Sequence, residues 1–284
     1  MFVISVVVVA VTWGVVAYLG RATPAGPASG AAFFGTAAAY APRGGTLRLG
    51  TFNIDGGEGH DNGIVDLSRT AKSLQKLDFI GLQEVHGSGG EAPTNQAAEL
   101  STLLKLPFVY APAERRWGHD DFGNAVFTDL KVDHWDRIVL PNAGFHALRN
   151  YVLVDAEWQD KPIHLIVTHV DWKTGGDEQL AIVIDRFLHL PTPAVLLGDL
   201  NHPPSSPQIQ TLLATSGVHE AVHEILEKTP GEKIGGRVDW IFLRGLLPVD
   251  AGQVDTKASD HPAYWAEVRR EPSASTQRTT MPSK

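Results

Sequence analysis

Ala194-Val195-Leu196-Leu197-Gly198-Asp199-Leu200-Asn201 is an apolar run that stops in two polar side chains. A stretch this apolar, with no alternation, reads as a strand buried on both faces at the centre of a sheet. His202-Pro203-Pro204-Ser205-Ser206-Pro207 follows and forces the chain to turn. Asp199 and Asn201 therefore lie where a central strand ends. Alternation places them on one face, where a base and a phosphate-holding donor could sit side by side. An Asx turn leading into a helix would use the same residues.

The same design recurs along the chain. Asn53 closes Leu47-Arg48-Leu49-Gly50-Thr51-Phe52, and Glu84 follows Asp78-Phe79-Ile80-Gly81-Leu82-Gln83. His169 ends His164-Leu165-Ile166-Val167-Thr168, Asp239 opens Trp240-Ile241-Phe242, and Ser259-Asp260-His261 precedes Ala263–Val268. A strand that stops at a carboxylate or carboxamide delivers that group to a sheet edge without exposing apolar surface. Scattered residues can converge on one hard cation in this way, and the pattern implies metal-assisted phosphoester hydrolysis. Asp239 has little reason to begin an apolar strand unless it is paired, and His261 needs a carboxylate to orient its ring. Taken singly, each of these residues has a plain structural reading as a turn residue, surface acid or packed histidine.

The rest of the sequence frames that centre. Hydrophobic content of 43% and charged content of 20% over 284 residues describe a globular chain able to bury a large core. A net charge of -8 disfavours a large nucleic-acid surface, because non-specific backbone binding relies on many Lys and Arg contacts. With no cysteine, disulfides, thiolate zinc sites and a Cys nucleophile are excluded. Phe2 to Leu19 carries no charge and is long enough to span a bilayer, so 1–21 is expected to be a membrane anchor or signal segment, with an uncleaved anchor preferred. The catalytic domain is then expected to be extracytoplasmic, since large domains translocate despite one such charge, although Arg21 after the span would by the positive-inside tendency keep that side cytoplasmic. Residues 22–45, rich in Ala, Gly and Pro, read as a linker; 46–270 is the expected catalytic domain; 271–284 reads as a disordered tail.

Strands are expected at Leu47–Ile54, Phe79–Gln83, Asn124–Thr128, Val152–Trp158, His164–His169, Ala194–Leu197, Val238–Leu243 and Ala263–Val268. Helices are expected at Ile64–Leu77, Asn95–Leu104, Glu178–Leu188 and Pro207–Ser216. Their mixed order suggests an α/β architecture, two sheets face to face with helices outside.

TFNI, LQEV, THVDW, GDLN, DWIF and SDHP, in this order between Thr46 and Arg270, resemble the endonuclease/exonuclease/phosphatase superfamily. That superfamily includes deoxyribonuclease-like enzymes, abasic-site endonucleases, neutral sphingomyelinases and inositol-polyphosphate 5-phosphatases. The resemblance implies a four-layer α/β/β/α sandwich of two mixed β-sheets and a divalent-metal phosphoesterase using Mg²⁺, with Mn²⁺ or Ca²⁺ as alternatives. It implies Glu84 as principal metal ligand with Asn53 and Asp260 close by, and Asn201 and His169 holding the scissile phosphate. His261, paired with Asp239, would act on the attacking water or stabilise the transition state, with Asp199 as the alternative base.

The chain departs from many relatives at Thr128-Asp129, where they carry Ser-Arg, and at Lys173 and Gly175-Gly176-Asp177, where they carry an Arg; both changes put substrate contacts in doubt. Nucleic acid, phospholipid or sphingomyelin, and inositol phosphate all stay open as substrates of an expected monomer. Arg115 and Arg116 are candidate phosphate contacts, and Trp117 and Trp172 candidates for stacking or membrane contact. A non-catalytic domain that binds a phosphorylated ligand at a membrane is the reading from a different class.

Overall fold

The computed structural model describes residues 27–31, 33–35, 45–87, 95–115, 121–142, 148–173, 175–226 and 236–272. Thirteen strands follow in chain order: β1 (Ser29–Gly30), β2 (Leu47–Asn53), β3 (Phe79–His86), β4 (Phe108–Arg115), β5 (Asp121–Thr128), β6 (Lys131–Val139), β7 (Asn150–Trp158), β8 (Lys161–His169), β9 (Ala194–Asp199), β10 (Val218–Glu220), β11 (Asp239–Arg244), β12 (Leu246–Val254) and β13 (Ala263–Arg270). They form a seven-stranded sheet ordered β1-β6-β7-β8-β9-β11-β10 and a six-stranded sheet ordered β12-β13-β2-β3-β5-β4. Both are mixed: β8 and β9, and β2 and β3, run parallel inside otherwise antiparallel sheets.

Alternation sorts the side chains into layers. Leu165, Val167, Val195, Leu197, Ile241 and Leu243 face inward and meet Leu49, Phe79 and Val126 of the other sheet in a central core. Their neighbours Ile166, Leu196 and Phe242 face outward, under helix α3 (Gly176–His189) and helix α4 (Pro207–Leu213), where Leu180, Val183, Phe187 and Ile209 cover them. On the opposite flank, α1 (Leu67–Lys72) and α2 (Gln96–Leu104) bring Leu67, Ala71, Ala97 and Leu100 onto Phe52, Ile80 and Leu82. A short helix, α5 (Ala221–Leu226), closes one margin of the central core. The four-layer α/β/β/α sandwich is therefore the fold. Gly81 brings the two sheets close on this axis, since a Cβ there would run into Val167 and Leu197 of the facing sheet.

Several expectations need correcting in detail. The helix expected over Ile64–Leu77 begins only at Leu67, because Asp66 caps it by accepting from the Arg69 N–H at 3.0 Å, and it ends at Lys72. Part of the expected linker is built into the sandwich: Ser29–Gly30 pairs with β6, and Phe34 bridges Phe108 of β4. The segment 1–21 and residues 273–284 of the expected tail lie outside the described residues. Among the described residues no helix is long and apolar enough to cross a membrane.

Candidate active site

Register puts the polar strand ends together. His169 lies directly opposite Asp199 on the parallel β8–β9 pair, and Asp199 lies opposite Asp239 on the antiparallel β9–β11 pair. In the other sheet, Asn53 ends β2 opposite Gln83 of β3. The register of β3 against β5 then slips between Leu82 and Val85, and Glu84 adopts φ 59° within that bulge. A bulge re-aims a side chain that regular alternation would send elsewhere. The loop from β12 to β13 supplies Asp260 and His261.

Asn53 joins the two sheets. Its Nδ2 donates to Glu84 Oε1 at 3.1 Å and to Asp199 Oδ2 at 3.0 Å, while its Oδ1 accepts the Asp55 N–H at 3.1 Å. With both amide hydrogens on carboxylates, it orients Glu84 and Asp199 toward one another. Ser259 Oγ donates to the Asn53 carbonyl at 2.8 Å and accepts the His261 N–H at 3.2 Å, which ties the Asp260-His261 loop to β2.

His261 Nδ1 lies 2.8 Å from Asp239 Oδ2, leaving Nε2 4.0 Å from Asp199 Oδ2 and 3.9 Å from Asp260 Oδ1. Burial pulls the His261 pKa down, but the hydrogen bond and charge of Asp239, with Asp199 and Asp260 nearby, outweigh it and raise the value to about 9. Asp199 is pushed up to about 7, first by burial and then by the Asp239 carboxylate, against the opposing pull of His261 and the hydrogen bonds from Asn53 and Asn201. Burial also raises Asp239, although its His261 contact opposes the shift.

On the other side, Asn201 Nδ2 donates to the Val170 carbonyl at 2.8 Å and to His169 Nε2 at 3.1 Å. His169 can accept because its ring is neutral. Burial, then Arg149 and His261, depress its pKa well below the usual range. Asn201 does not reach this position by strand alternation with Asp199. The strand ends at Asp199, Asn201 turns back with φ 51°, and its N–H is held by Asp199 Oδ1 at 2.8 Å.

All eight side chains singled out from the sequence (Asn53, Glu84, His169, Asp199, Asn201, Asp239, Asp260 and His261) are linked through these contacts at one end of the sandwich. Two further residues belong with them. Asp55, two residues past Asn53, has its carboxyl raised by burial and then by Asp260, Glu84 and Glu58, so the acids crowd together. Its signal in the sequence was an acid directly after the TFNI stretch. Arg149, 7% exposed at the mouth of β7, has no hydrogen-bond partner for its buried Nε; burial lowers its pKa, while Glu84, Asp171, Asp199 and Glu114 pull the other way. An isolated Arg before a strand gave no signal.

Among the described residues, no Lys or Arg forms an ion pair with Glu84, Asp55 or Asp260. A carboxylate set that repels itself and offers only oxygen ligands suits a hard divalent cation, and Glu84, Asp55 and Asp260 are the residues that would hold it. Among the described residues, the one trio of ligand atoms within 4.8 Å of one another is Asp199, Asp239 and His261. There Asp239 and His261 already satisfy each other, whereas Glu84, Asp55 and Asp260 are more widely spaced acids whose carboxylates face one another's charge.

Other candidates fall away. Arg115 is held by Asp121 through two contacts of 2.6 and 2.8 Å rather than left for phosphate, and Arg116 and Trp117 lie outside the described residues. Thr128 pairs with Phe79 at the start of β3, so Thr128-Asp129 sits at the end of the sheet opposite Glu84 and is not a substrate contact.

The model of the Endonuclease/Exonuclease/phosphatase family matches residues 50–261, the span that carries every residue above. No curated protein matches the chain by sequence. Among solved structures, the endonuclease/exonuclease/phosphatase from Beutenbergia cavernae DSM 12333 is similar at 22% identity and TM-score 0.64, over 79% of this chain and 72% of that one. The human Nocturnin catalytic domain with bound sulfate anion is similar at 17% identity and TM-score 0.60, over 80% and 95%. D. rerio TDP2 complexed with single strand DNA product is similar at 16% and 0.60, over 79% and 99%. With the family's model matching residues 50–261 and the fold shared by these structures, the chain belongs to the endonuclease/exonuclease/phosphatase family.

Proposed function

We propose that this protein is a divalent-metal-dependent hydrolase of phosphodiesters, cleaving by in-line attack of water on phosphorus. The observation that carries the reading is the grouping of acids at Asp55, whose protonation Asp260 and Glu84 raise, beside the oriented His261–Asp239 pair at 2.8 Å. A bound Mg²⁺ would supply Lewis-acid neutralisation of charge on the phosphoryl oxygens.

The chain's own residues divide the remaining work. Asp199, hydrogen-bonded by Asn53 and by the Asn201 N–H, is held as the base that accepts a proton from the attacking water. His261, its Nδ1 fixed on Asp239, presents a cationic Nε2 that counters charge as the phosphorus gains its fifth oxygen. Two titratable groups with environments that separate their protonation states are the expected arrangement for acid and base duties. A non-bridging oxygen would take the place of the Asn201–His169 contact, with Asn201 Nδ2 turning its hydrogen from His169 to the oxygen and neutral His169 donating from Nε2 in its other tautomer. Asn53 acts as a clip between Glu84 and Asp199 more than as a ligand, since its oxygen is occupied by Asp55.

The test is hydrolysis of bis-p-nitrophenyl phosphate by the purified chain with Mg²⁺ and with excess chelator, beside a panel of single-stranded DNA, plasmid, sphingomyelin and inositol phosphates. Turnover that requires the cation and falls roughly 10²–10⁴-fold in His261→Ala is expected. Binding without turnover of any diester would make this a phospho-ligand-binding protein instead. The panel includes nucleic acid because a structural neighbour, D. rerio TDP2, is complexed with single strand DNA product.

A further inference from the structure

Trp172 is the most exposed large apolar side chain among the described residues, at 67%. It follows His169-Val170-Asp171 on the loop that leaves β8, so its Cα is within about 11 Å of that of His169. Val170 is fully buried and Asp171 is 3% exposed. The backbone around Trp172 is tied down on both sides. The Asp171 N–H donates to Gln179 Oε1 at 2.8 Å, the Lys173 N–H to Asp171 Oδ1 at 3.1 Å, and the Gly176 N–H to the Lys173 carbonyl at 3.0 Å. Gln179 is itself anchored by donating to the Pro141 carbonyl at 2.7 Å.

A large indole displayed in water on a well-anchored turn forgoes the burial that its neighbours Val170 and Asp171 achieve. Among the described residues its ring partner is Lys173, whose ammonium lies 4.5 Å from the ring centroid. Aromatic face and cation side by side, next to residues that would hold a phosphate, match a flat base joined to a phosphodiester. A bilayer is a poorer match. One exposed indole gives little apolar area, far less than the apolar face by which an interfacial segment binds a membrane.

We propose that Trp172, backed by Lys173, is a stacking platform for a nucleobase flanking the scissile phosphate, which makes single-stranded nucleic acid the substrate class. The inference rests on the phosphodiesterase reading and names its substrate. Stacking acts through the base face alone, so it is tolerant of sequence and absent where the base is missing.

The experiment compares two fluorescein-labelled oligonucleotides of one length, a deoxythymidine oligomer and the same backbone carrying abasic tetrahydrofuran residues. Binding is read by anisotropy with Mg²⁺, using the full chain carrying His261→Ala so that the strand is not cleaved. Adding Trp172→Ala is expected to weaken binding of the base-bearing strand roughly 5- to 100-fold, leave the abasic strand within about twofold, and be largely rescued by Trp172→Phe. Equal losses on both strands, or no loss on either, would overturn the proposal. So would retained oligonucleotide binding combined with a loss of binding to phosphatidylglycerol vesicles, which would assign Trp172 to a lipid surface. Wild-type turnover of bis-p-nitrophenyl phosphate is measured in parallel. Its absence would remove the phosphodiesterase reading, while the binding comparison still decides the role of Trp172.

Discussion

Asp199 is 1% exposed and accepts from both Asn53 and the Asn201 backbone, yet its pKa sits near 7 because burial and Asp239 oppose its charge. In the folded, metal-free chain it holds a proton that the unfolded chain releases. Its ionisation therefore costs stability, by an amount that grows from the ordinary carboxylate range up to about pH 7 and then levels off. His261 acts in the same direction. Raised to about 9, it contributes stability that is full below its ordinary pKa of 6.5 and is lost as pH rises through 9. Metal-free wild type should thus melt at a progressively lower temperature between pH 6.5 and 9. Asp199→Asn removes one of these costs, so the melting temperature of the variant minus that of wild type should climb from pH 4 to pH 7 and then plateau. A difference independent of pH in chelator would show that Asp199 ionises freely in the fold.

At the scale of elements, the backbone at Gly198, inside β9, fixes how β9 meets β8. Gly198 has φ 145°, and a Cβ there would press into the Thr168 carbonyl, the residue before His169. Gly198→Ala should destabilise by about 3 kcal/mol in urea unfolding, through strain and lost register together, and should depress turnover further by displacing His169 and Asp199. Helix caps serve as the contrasting control. Asn95 accepts from the Ala97 and Ala98 N–H groups at the start of α2, and these side-chain contacts are confined to the helix cap. Asn95→Ala should lower stability by about 1 kcal/mol with kcat unchanged. A fall in kcat as large as that of Gly198→Ala would mean that general loosening, rather than register, accounts for both.

The elements also show what the sequence made readable. Val195-Leu196-Leu197 and Ile241-Phe242-Leu243 lie between two apolar layers, so their composition alone marks them as central strands. β4, β6 and β12 escaped because they lie at or near sheet margins, where one side meets water and the apolar signal thins. β12 carries Pro248 and Asp250 across a register shift, β4 carries Pro112 across another, and β6 is studded with Asp133, His134, Asp136 and Arg137. In the site, side chains placed by strand ends were legible from strand patterning. Asp55, placed by a three-residue 3-10 turn, and Arg149, placed by a loop just before β7, depend on tertiary packing that leaves no periodic trace.

Across the whole molecule, neither sheet holds a complete centre. The six-stranded sheet and its β12–β13 loop contribute Asn53, Glu84, Asp260 and His261; the seven-stranded sheet contributes His169, Asp199 and Asp239, with Asn201 just beyond β9. The contacts from Asn53 to Asp199 and from His261 to Asp239 cross between them. A cation held by Glu84 and Asp260 would bind groups of the six-stranded side, and the crossing contacts of Asn53 and His261, together with the shared central core, should pass its stabilisation to the whole sandwich. At a hundredfold excess over its dissociation constant it would add about 2.7 kcal/mol, visible as a single, shifted melting transition. Two transitions, only one of them responsive to Mg²⁺, would mean that the sheets unfold separately.

The most direct test of a metal-assisted centre built on Glu84 is a Mg²⁺ titration of bis-p-nitrophenyl phosphate hydrolysis by wild type and Glu84→Gln, with chelator-only melting curves confirming that both are folded. The variant should need roughly 10-fold more Mg²⁺ for half-maximal rate, or more, and turn over more slowly even at saturation. Superimposable titrations from two folded proteins would contradict the account.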